Sequence, residues 1–205
     1  MHTVFVRNYP AVPADRKEIL RYAGAGDDVS GIAELLERCL AEASGREAGR
    51  VCWCEFPIRE IGEKLSLGFA ETDSAALRKN LRGCGSIIVF AATVGMAFDR
   101  LIARYAVISP AKALLFQAIG AERIESLCDA FCRDIAAEKA AEGRILRPRF
   151  SPGYGDLPLQ MQRDIFAVLD CPRKIGLSLN GSLLMSPSKS VTAIIGIAGE
   201  TPAEE

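Results

Sequence analysis

The 205-residue chain has very little histidine: His2 is the only one. Histidine is the side chain that most readily exchanges protons near neutral pH, and a terminal residue is often poorly ordered. The sequence therefore argues against a serine or cysteine triad and a histidine general base. It also lacks Gly-x-Gly-x-x-Gly and P-loop motifs, so it gives no support for the nucleotide folds that carry them.

The chain has no excess of either charge. Its 25 basic and 26 acidic side chains give a net charge of −1, whereas proteins that bind nucleic acid have a surplus of Lys and Arg. The N-terminus has no signal-peptide pattern, and the longest apolar run, near residues 86–94, is far too short to cross a bilayer. The sequence predicts a cytoplasmic protein that binds neither nucleic acid nor membrane.

Seven cysteines without a secretion signal predict reduced thiols. Cys52 and Cys54 fall on one face of a predicted strand, and Cys128 and Cys132 lie one helical turn apart. Neither spacing is the Cys-x-x-Cys knuckle of structural zinc sites. Buried cysteines that pack as small apolar residues are the preferred interpretation, and a zinc or iron–sulfur site is the alternative. Cys84, between two glycines, is the candidate for a reactive thiol.

Apolar periodicity and turn signals predict helices and strands that mix without a regular βαβ alternation. This pattern favours an α+β fold built on an antiparallel sheet flanked by helices. Helices are expected to begin at N-caps Ser30, Asp73 or Ser74, and Ser109. Strands are predicted at 4–6, 51–56, 86–92, 175–179 and 191–198, and helices at 15–22, 30–43, 73–81, 97–105, 110–140 and 159–169.

The loop at residues 149–154, Arg-Phe-Ser-Pro-Gly-Tyr, carries the strongest binding signal. Arg149 offers a planar fork that can hold a carboxylate through two hydrogen bonds. Gly153 removes the Cβ that would block a ligand, Pro152 stiffens the loop, and Tyr154 adds an aromatic surface. This combination suits a zwitterionic small molecule, and an ordinary Pro-Gly turn is the alternative.

The loop opens an ordered set of motifs. An amphipathic run follows it to residue 169, then Ile-Gly-Leu-x-Leu at 175–179, Ser-x-x-Met-x-Pro at 182–187 and Ser-Val-Thr at 190–192. This order resembles the S-adenosylmethionine-binding activation domain of cobalamin-dependent methionine synthase. In that family an Arg-x-x-x-Gly-Tyr loop clasps S-adenosylmethionine and precedes a helix, a Gly-x-x-Leu segment and a Met-x-Pro turn.

The N-terminal half is similar to short stand-alone relatives of that domain, through residues 18–22, 90–95 and 110–115. The resemblance therefore covers nearly the whole chain and implies the same α+β fold. It implies one domain over residues 1–205. In that domain an N-terminal helix and strand region (1–85) precedes a core (86–205) with the ligand loop at 147–158.

The resemblance also implies roles for individual loop residues. Arg149 would hold the methionyl carboxylate, Ser151 and Gly153 would contribute backbone hydrogen bonds, and Tyr154 would pack beside the ligand. These four residues are the predicted ligand contacts of the loop.

One further contact and two departures complete the comparison. Glu125 aligns with a family glutamate that approaches the ligand's ammonium; Glu122 is the competing choice, and a solvated helix face is the alternative for either. The family's Pro-Ala-Cys-Pro pattern is replaced by Gly-Asp-Leu-Pro at 155–158. The family also has an aromatic residue late in its last strand, at a position that corresponds to about Ile195 in this chain. These departures bear on the ligand rather than on the fold.

The implied function is accessory. An S-adenosylmethionine-binding module would support reductive methylation of inactive cobalamin on a separate methionine synthase or related corrinoid methyltransferase. S-adenosylmethionine is the expected cofactor, and cobalamin enters only through that partner. A flavodoxin- or ferredoxin-like electron donor is the second expected partner. The alternatives are a binding or regulatory module that kept the fold but lost the ligand, and a redox or metal protein that uses the cysteines.

Overall fold

The computed structural model describes residues 2–11, 13–25, 31–46 and 49–199. Its strands are β1 (Phe5–Tyr9), β2 (Gly49–Pro57), β3 (Arg59–Ile61), β4 (Lys64–Ser66), β5 (Glu71–Thr72), β6 (Cys84–Thr93), β7 (Arg144–Leu146), β8 (Ser178–Leu179), β9 (Met185–Ser186) and β10 (Ser190–Gly199). Its helices are α1 (Arg16–Tyr22), α2 (Ala33–Ala43), α3 (Ala75–Asn80), α4 (Ala97–Ile108), α5 (Pro110–Ala140), α6 (Met161–Leu169) and α7 (Cys171–Ile175). None of the described helices is both long and apolar enough to cross a membrane.

The centre of the fold is a five-stranded antiparallel sheet in the order β1-β2-β6-β10-β7. β6 is the middle strand, with Phe90 opposite Trp53 of β2 on one side and Ala193 of β10 on the other. It can occupy that place because its apolar run is buried on both faces of the sheet. The predicted α+β class, with helices flanking an antiparallel sheet, is confirmed.

Helices cover the two faces of this sheet and divide the core into two clusters. Phe90 points into the cluster formed with α1, α2, α4 and α5, where its ring lies 4.9 Å from that of Phe131. The neighbouring Val89 points to the opposite face, where it packs with Ile165 of α6 and Leu77 of α3. This alternation along β6 is the period-two pattern of a strand buried on both sides.

Helix caps follow the sequence in part. The Asp15 carboxylate accepts two backbone N–H bonds from the first turn of α1. Of the two candidate caps of α3, Ser74 is the one that caps it, through its hydroxyl. Ser109 directly precedes α5, but its side chain makes no capping hydrogen bond. Ser30 lies outside the described residues.

Three short features depart from the predicted elements. The strand expected at 175–179 is reduced to β8, because Pro172 favours a helical first turn in α7 and Gly176, with φ +70°, ends that helix. The small sheet β3-β4-β5 was not predicted, since each of its strands has only two or three residues. β7 lies within the segment 143–158 that the pattern left irregular, and it pairs with the end of β10.

Candidate functional site

The predicted ligand loop leaves the sheet at the edge next to β10. Backbone hydrogen bonds continue past β7: Arg147 N donates to Gly196 O at 2.8 Å, and Phe150 and Ile194 exchange two bonds at 2.8 and 2.9 Å. Side chains alternate along such an extended segment, so Arg149 and Phe150 project to opposite faces. Arg149 reaches α5, whereas Phe150 joins the cluster that contains α6.

Arg149 is held by two carboxylates of α5. Its Nη1 donates to Asp129 Oδ1 at 2.5 Å, and its Nη2 donates to Glu125 Oε2. Glu125 and Asp129 are four residues apart, so they share one face of the helix. Burial alone would lower the pKa of Arg149, but the hydrogen bond to Asp129 and the nearby negative charges raise it above its usual value. The Arg149 cluster, defined as these three residues, therefore carries a net charge of −1.

An open groove of about 440 Å³ lies beside the Arg149 cluster, between α5 and the sheet edge. We call it the α5 groove; its wall is formed by Cys132, Arg133, Ala136, Leu146, Arg147, Pro148, Arg149 and Ile195. Ile195, near the position where the family has an aromatic residue, is thus in the wall that also presents Arg149. Burial raises the pKa of the Cys132 thiol despite the nearby Arg149, so this thiol is held in its protonated, weakly nucleophilic form.

The rest of the loop turns away from the Arg149 cluster. Gly153 adopts φ +89° and its N–H donates to Leu157 O at 2.9 Å, while Tyr154 N donates to Ser151 O at 3.1 Å. The exposed Tyr154 ring meets the edge of Phe150, with centroids 5.4 Å apart. Within the described residues, no hydrogen bond or ring contact joins Tyr154 to Arg149. The structure thus brings Glu125 and Arg149 together, whereas the Gly153 N–H and the Ser151 carbonyl form hydrogen bonds within the loop.

Asp156, one of the residues that departs from the family pattern, anchors the loop to α3. Its carboxylate accepts hydrogen bonds from the Ser74 hydroxyl and from the backbone N–H of Ala75 at 2.8 Å and of Ala76 at 3.2 Å. Gly155 fits beside Ala76 with φ +58°, and Leu157 is buried in the core. The hydrogen bond from Ser74, helped by these backbone N–H groups, lowers the pKa of Asp156.

We expect Asp156→Asn to lower the thermal midpoint of unfolding at pH 7, because the amide loses the charge that the α3 N-terminus favours. A carboxyl whose pKa is lowered by folding stabilises the protein fully above its unfolded pKa of about 4, and the contribution is lost as the pH falls through the lowered value. The two proteins should therefore converge as the pH is lowered from 7 toward 3. Glu60→Gln, at an exposed position of β3, is the control, and a difference that does not change with pH would contradict this origin.

Glu122, the competing choice for the ligand glutamate, has a different environment from Glu125. Its side chain is 3% exposed and lies 2.5 Å from the guanidinium of Arg123. It also accepts hydrogen bonds from the Ser126 hydroxyl at 2.7 Å and from Asp15 N at 3.3 Å, and Arg123 donates to Pro13 O at 3.1 Å. Glu122 therefore ties α5 to the segment before α1, and of the two glutamates it is Glu125 that contacts Arg149.

The cysteines pack mainly as core residues. Cys52, Cys54 and Cys128 are buried, and no group of three or more His, Cys, Asp or Glu side chains in the described part of the chain is placed to hold a metal ion. Burial also raises the pKa of the Cys84 thiol in spite of a contact with Arg147, which disfavours the reactive thiolate. The geometry therefore favours the Arg149 cluster over the thiols as the candidate site.

Comparison with known proteins identifies the fold. A crystal structure of the MetH reactivation domain bound to AdoHcy matches with a TM-score of 0.66 over 98% of this chain and 80% of that chain, at 14% sequence identity. No family model matches the chain, and a search of curated proteins gave no match. This chain therefore has the fold of the reactivation domain, a mixed α+β structure with an antiparallel sheet flanked by helices.

Proposed function

We propose that this protein binds S-adenosylmethionine at the Arg149 cluster and supports the reductive methylation of cobalamin on a separate methionine synthase or related corrinoid methyltransferase. The observation that carries the proposal is a guanidinium flanked by two carboxylates, next to a groove whose wall includes Leu146, Pro148 and Ile195, at the predicted ligand loop. The shared fold with a reactivation domain bound to AdoHcy supports the same class of ligand.

The charges of the Arg149 cluster complement this ligand. The amino-acid end of S-adenosylmethionine is a zwitterion, so Arg149 would take its carboxylate while Glu125 and Asp129 face its ammonium. The ligand carries one additional positive charge on sulfur, which would be attracted to the carboxylates of Glu125 and Asp129. The adenosyl part would lie along the α5 groove, against Leu146, Pro148 and Ile195.

The role of the chain in this chemistry is to bind and orient. The sulfonium and the cobalt of a partner would supply the reactive centres, and this chain's residues would position the ligand. We therefore propose a cobalamin-carrying methyltransferase protein as the partner, a flavodoxin- or ferredoxin-like protein as electron donor, and the cytoplasm as the location. His2, the only histidine, packs its ring 4.5 Å from that of Phe56.

A second candidate is a binding or regulatory module that kept the fold and lost the ligand. Two observations favour it. The fork of Arg149 is already engaged by Glu125 and Asp129, and the loop uses its own backbone groups in internal hydrogen bonds. A ligand carboxylate would have to displace one of these two arms, and a partner's surface could instead make use of the preformed cluster.

Isothermal titration of S-adenosylmethionine and S-adenosylhomocysteine separates the two candidates. We expect saturable binding, tighter for S-adenosylmethionine by about fivefold, because a sulfonium close to the Glu125 and Asp129 carboxylates contributes about 1 kcal/mol. Asp129→Asn should reduce this preference, and Asp164→Asn on the opposite side of the sheet should not. An absence of binding at millimolar concentrations of either compound would favour the module that lost the ligand, and equal affinities would contradict charge selection by the cluster.

A further inference from the structure

A second groove lies on the α3 side of the segment that carries Arg149. We call it the α3 groove; it is open to solvent and has a volume of about 590 Å³. Its wall is formed by Ala76, Lys79, Asn80, Arg82, Arg147, Pro148 and Phe150. Three of these side chains are cations and none is an acid, so the charged part of the wall is entirely basic.

These cations are not neutralised by the protein. Lys79, Arg82 and Arg147 make no ion pair with any residue in the described part of the chain, whereas Arg149 next to them is paired twice. The chain as a whole has a net charge of −1, so no general surplus of cations accounts for this concentration. The cavity on the other side of Lys79 and Arg82 includes Glu60, Glu63 and Asp73, so the purely basic wall is confined to the α3 groove.

Two hydrogen bonds hold the opposite walls of the groove in place. Arg147 Nη2 donates to the backbone O of Arg82 at 3.1 Å, and Asn80 Nδ2 donates to Pro148 O at 3.2 Å. Both connect the end of α3 with the extended segment after β7. A groove that is already braced in this way loses little conformational entropy when a ligand binds.

We propose that the α3 groove binds a phosphate-bearing small molecule with a flat apolar part. Arg82 presents a forked guanidinium group that matches phosphate oxygens, Lys79 adds a point charge, and Arg147 adds the charge of a guanidinium whose Nη2 already donates to Arg82 O. A single carboxylate would leave most of this charge without a partner, whereas a phosphate carries more charge and more acceptor oxygens. The apolar part would lie against Ala76 and Phe150, which belong to the α3 groove and not to the α5 groove. The two grooves share Arg147 and Pro148, but Lys79, Arg82 and Ala76 belong to the α3 groove alone, so this proposal does not depend on the function proposed for the Arg149 cluster.

Titration with three probes at low ionic strength tests the proposal. AMP carries a phosphate and a flat ring, inorganic pyrophosphate carries charge alone, and adenosine carries the ring alone. We expect AMP and pyrophosphate to bind, AMP more tightly, and adenosine to show no saturable binding. Added salt should weaken both interactions because the cations are exposed. S-adenosylmethionine should not displace pyrophosphate, because pyrophosphate has no ring to lie against the shared Pro148.

The double variant Lys79→Glu/Arg82→Glu should lower the AMP affinity by at least about tenfold. Neither side chain makes a hydrogen bond to any residue that the structure describes, so this variant is expected to fold, and its thermal midpoint checks that. Lys174→Glu, an exposed charge reversal on α7 outside the groove, is the matched control. The proposal is overturned if AMP does not bind at millimolar concentration, if the double variant binds it like the wild type, or if Lys174→Glu weakens binding equally. AMP binding no tighter than pyrophosphate would overturn the part played by the ring.

Discussion

Replacing Arg123 with methionine is expected to lower the free energy of unfolding by about 3–5 kcal/mol. Arg123 and Glu122 form an ion pair whose side chains are only 4% and 3% exposed. Methionine fills much of the space of the arginine stem but leaves the Glu122 carboxylate buried without its cation, and an unpaired buried charge is far more costly than a lost surface contact. The variant also loses the hydrogen bond to Pro13 O that joins α5 to the segment before α1. Urea denaturation followed by circular dichroism measures the change.

A double-mutant cycle tests whether the pair is the cause. Adding Glu122→Gln to Arg123→Met removes the orphaned charge, so the double variant should be more stable than the sum of the two single effects predicts. Arg133→Met, at an exposed position of the same helix, should change stability by no more than about 0.5 kcal/mol. A cost at Arg123 no greater than at Arg133, or strict additivity in the cycle, would show that the pair is not what stabilises this junction.

This pair could not be predicted from the sequence. Adjacent residues of a helix do not face each other, so neighbouring opposite charges are ordinarily solvated independently. Here both side chains are buried because the segment before α1 covers this part of α5 and brings the Asp15 and Pro13 backbones to them. Burial of this kind depends on residues more than 100 positions away in the chain. Only the tertiary structure shows it.

The elements that the sequence predicted well are those whose own pattern is strong. β6 has a continuous apolar run, and α5 has a proline in its first turn and a long helical periodicity. β7 and α7 are too short for periodicity to be visible, and β7 exists because the end of β10 offers a free edge. Local pattern therefore determined the centre of the fold, and tertiary pairing determined its margins.

The candidate site divides in the same way. Arg149 was found from a local motif, because its residue type and its neighbours suggested a ligand. Asp129 was missed, although its position four residues after Glu125 would have indicated a shared helix face. Asp156 was recognised as a departure, but its capping of α3 joins segments about 80 residues apart and could only be seen in the structure.

Arg149→Ala is expected to weaken S-adenosylmethionine binding by roughly 10- to 100-fold, since a hydrogen bond to a charged group contributes about 1.5–3 kcal/mol. The variant keeps Glu125 and Asp129, so the attraction for the ammonium and the sulfonium remains. What it loses is recognition of the carboxylate. Arg149→Lys should fall between the wild type and the alanine variant, because an ammonium keeps the charge but cannot form two parallel hydrogen bonds.

Decarboxylated S-adenosylmethionine makes this prediction specific to the fork. The wild type should bind S-adenosylmethionine more tightly than the decarboxylated compound. Arg149→Ala should bind the decarboxylated compound at least as tightly as S-adenosylmethionine, because the carboxylates of Glu125 and Asp129 are no longer bonded to a guanidinium. A uniform loss of affinity for both compounds would mean that Arg149 only holds the loop and α5 together. An unchanged preference in Arg149→Ala would place the ligand carboxylate elsewhere. The reversal of preference is expected only if the fork exchanges its bonds to Glu125 or Asp129 for bonds to the ligand, because both arms of the fork are already engaged by these two carboxylates.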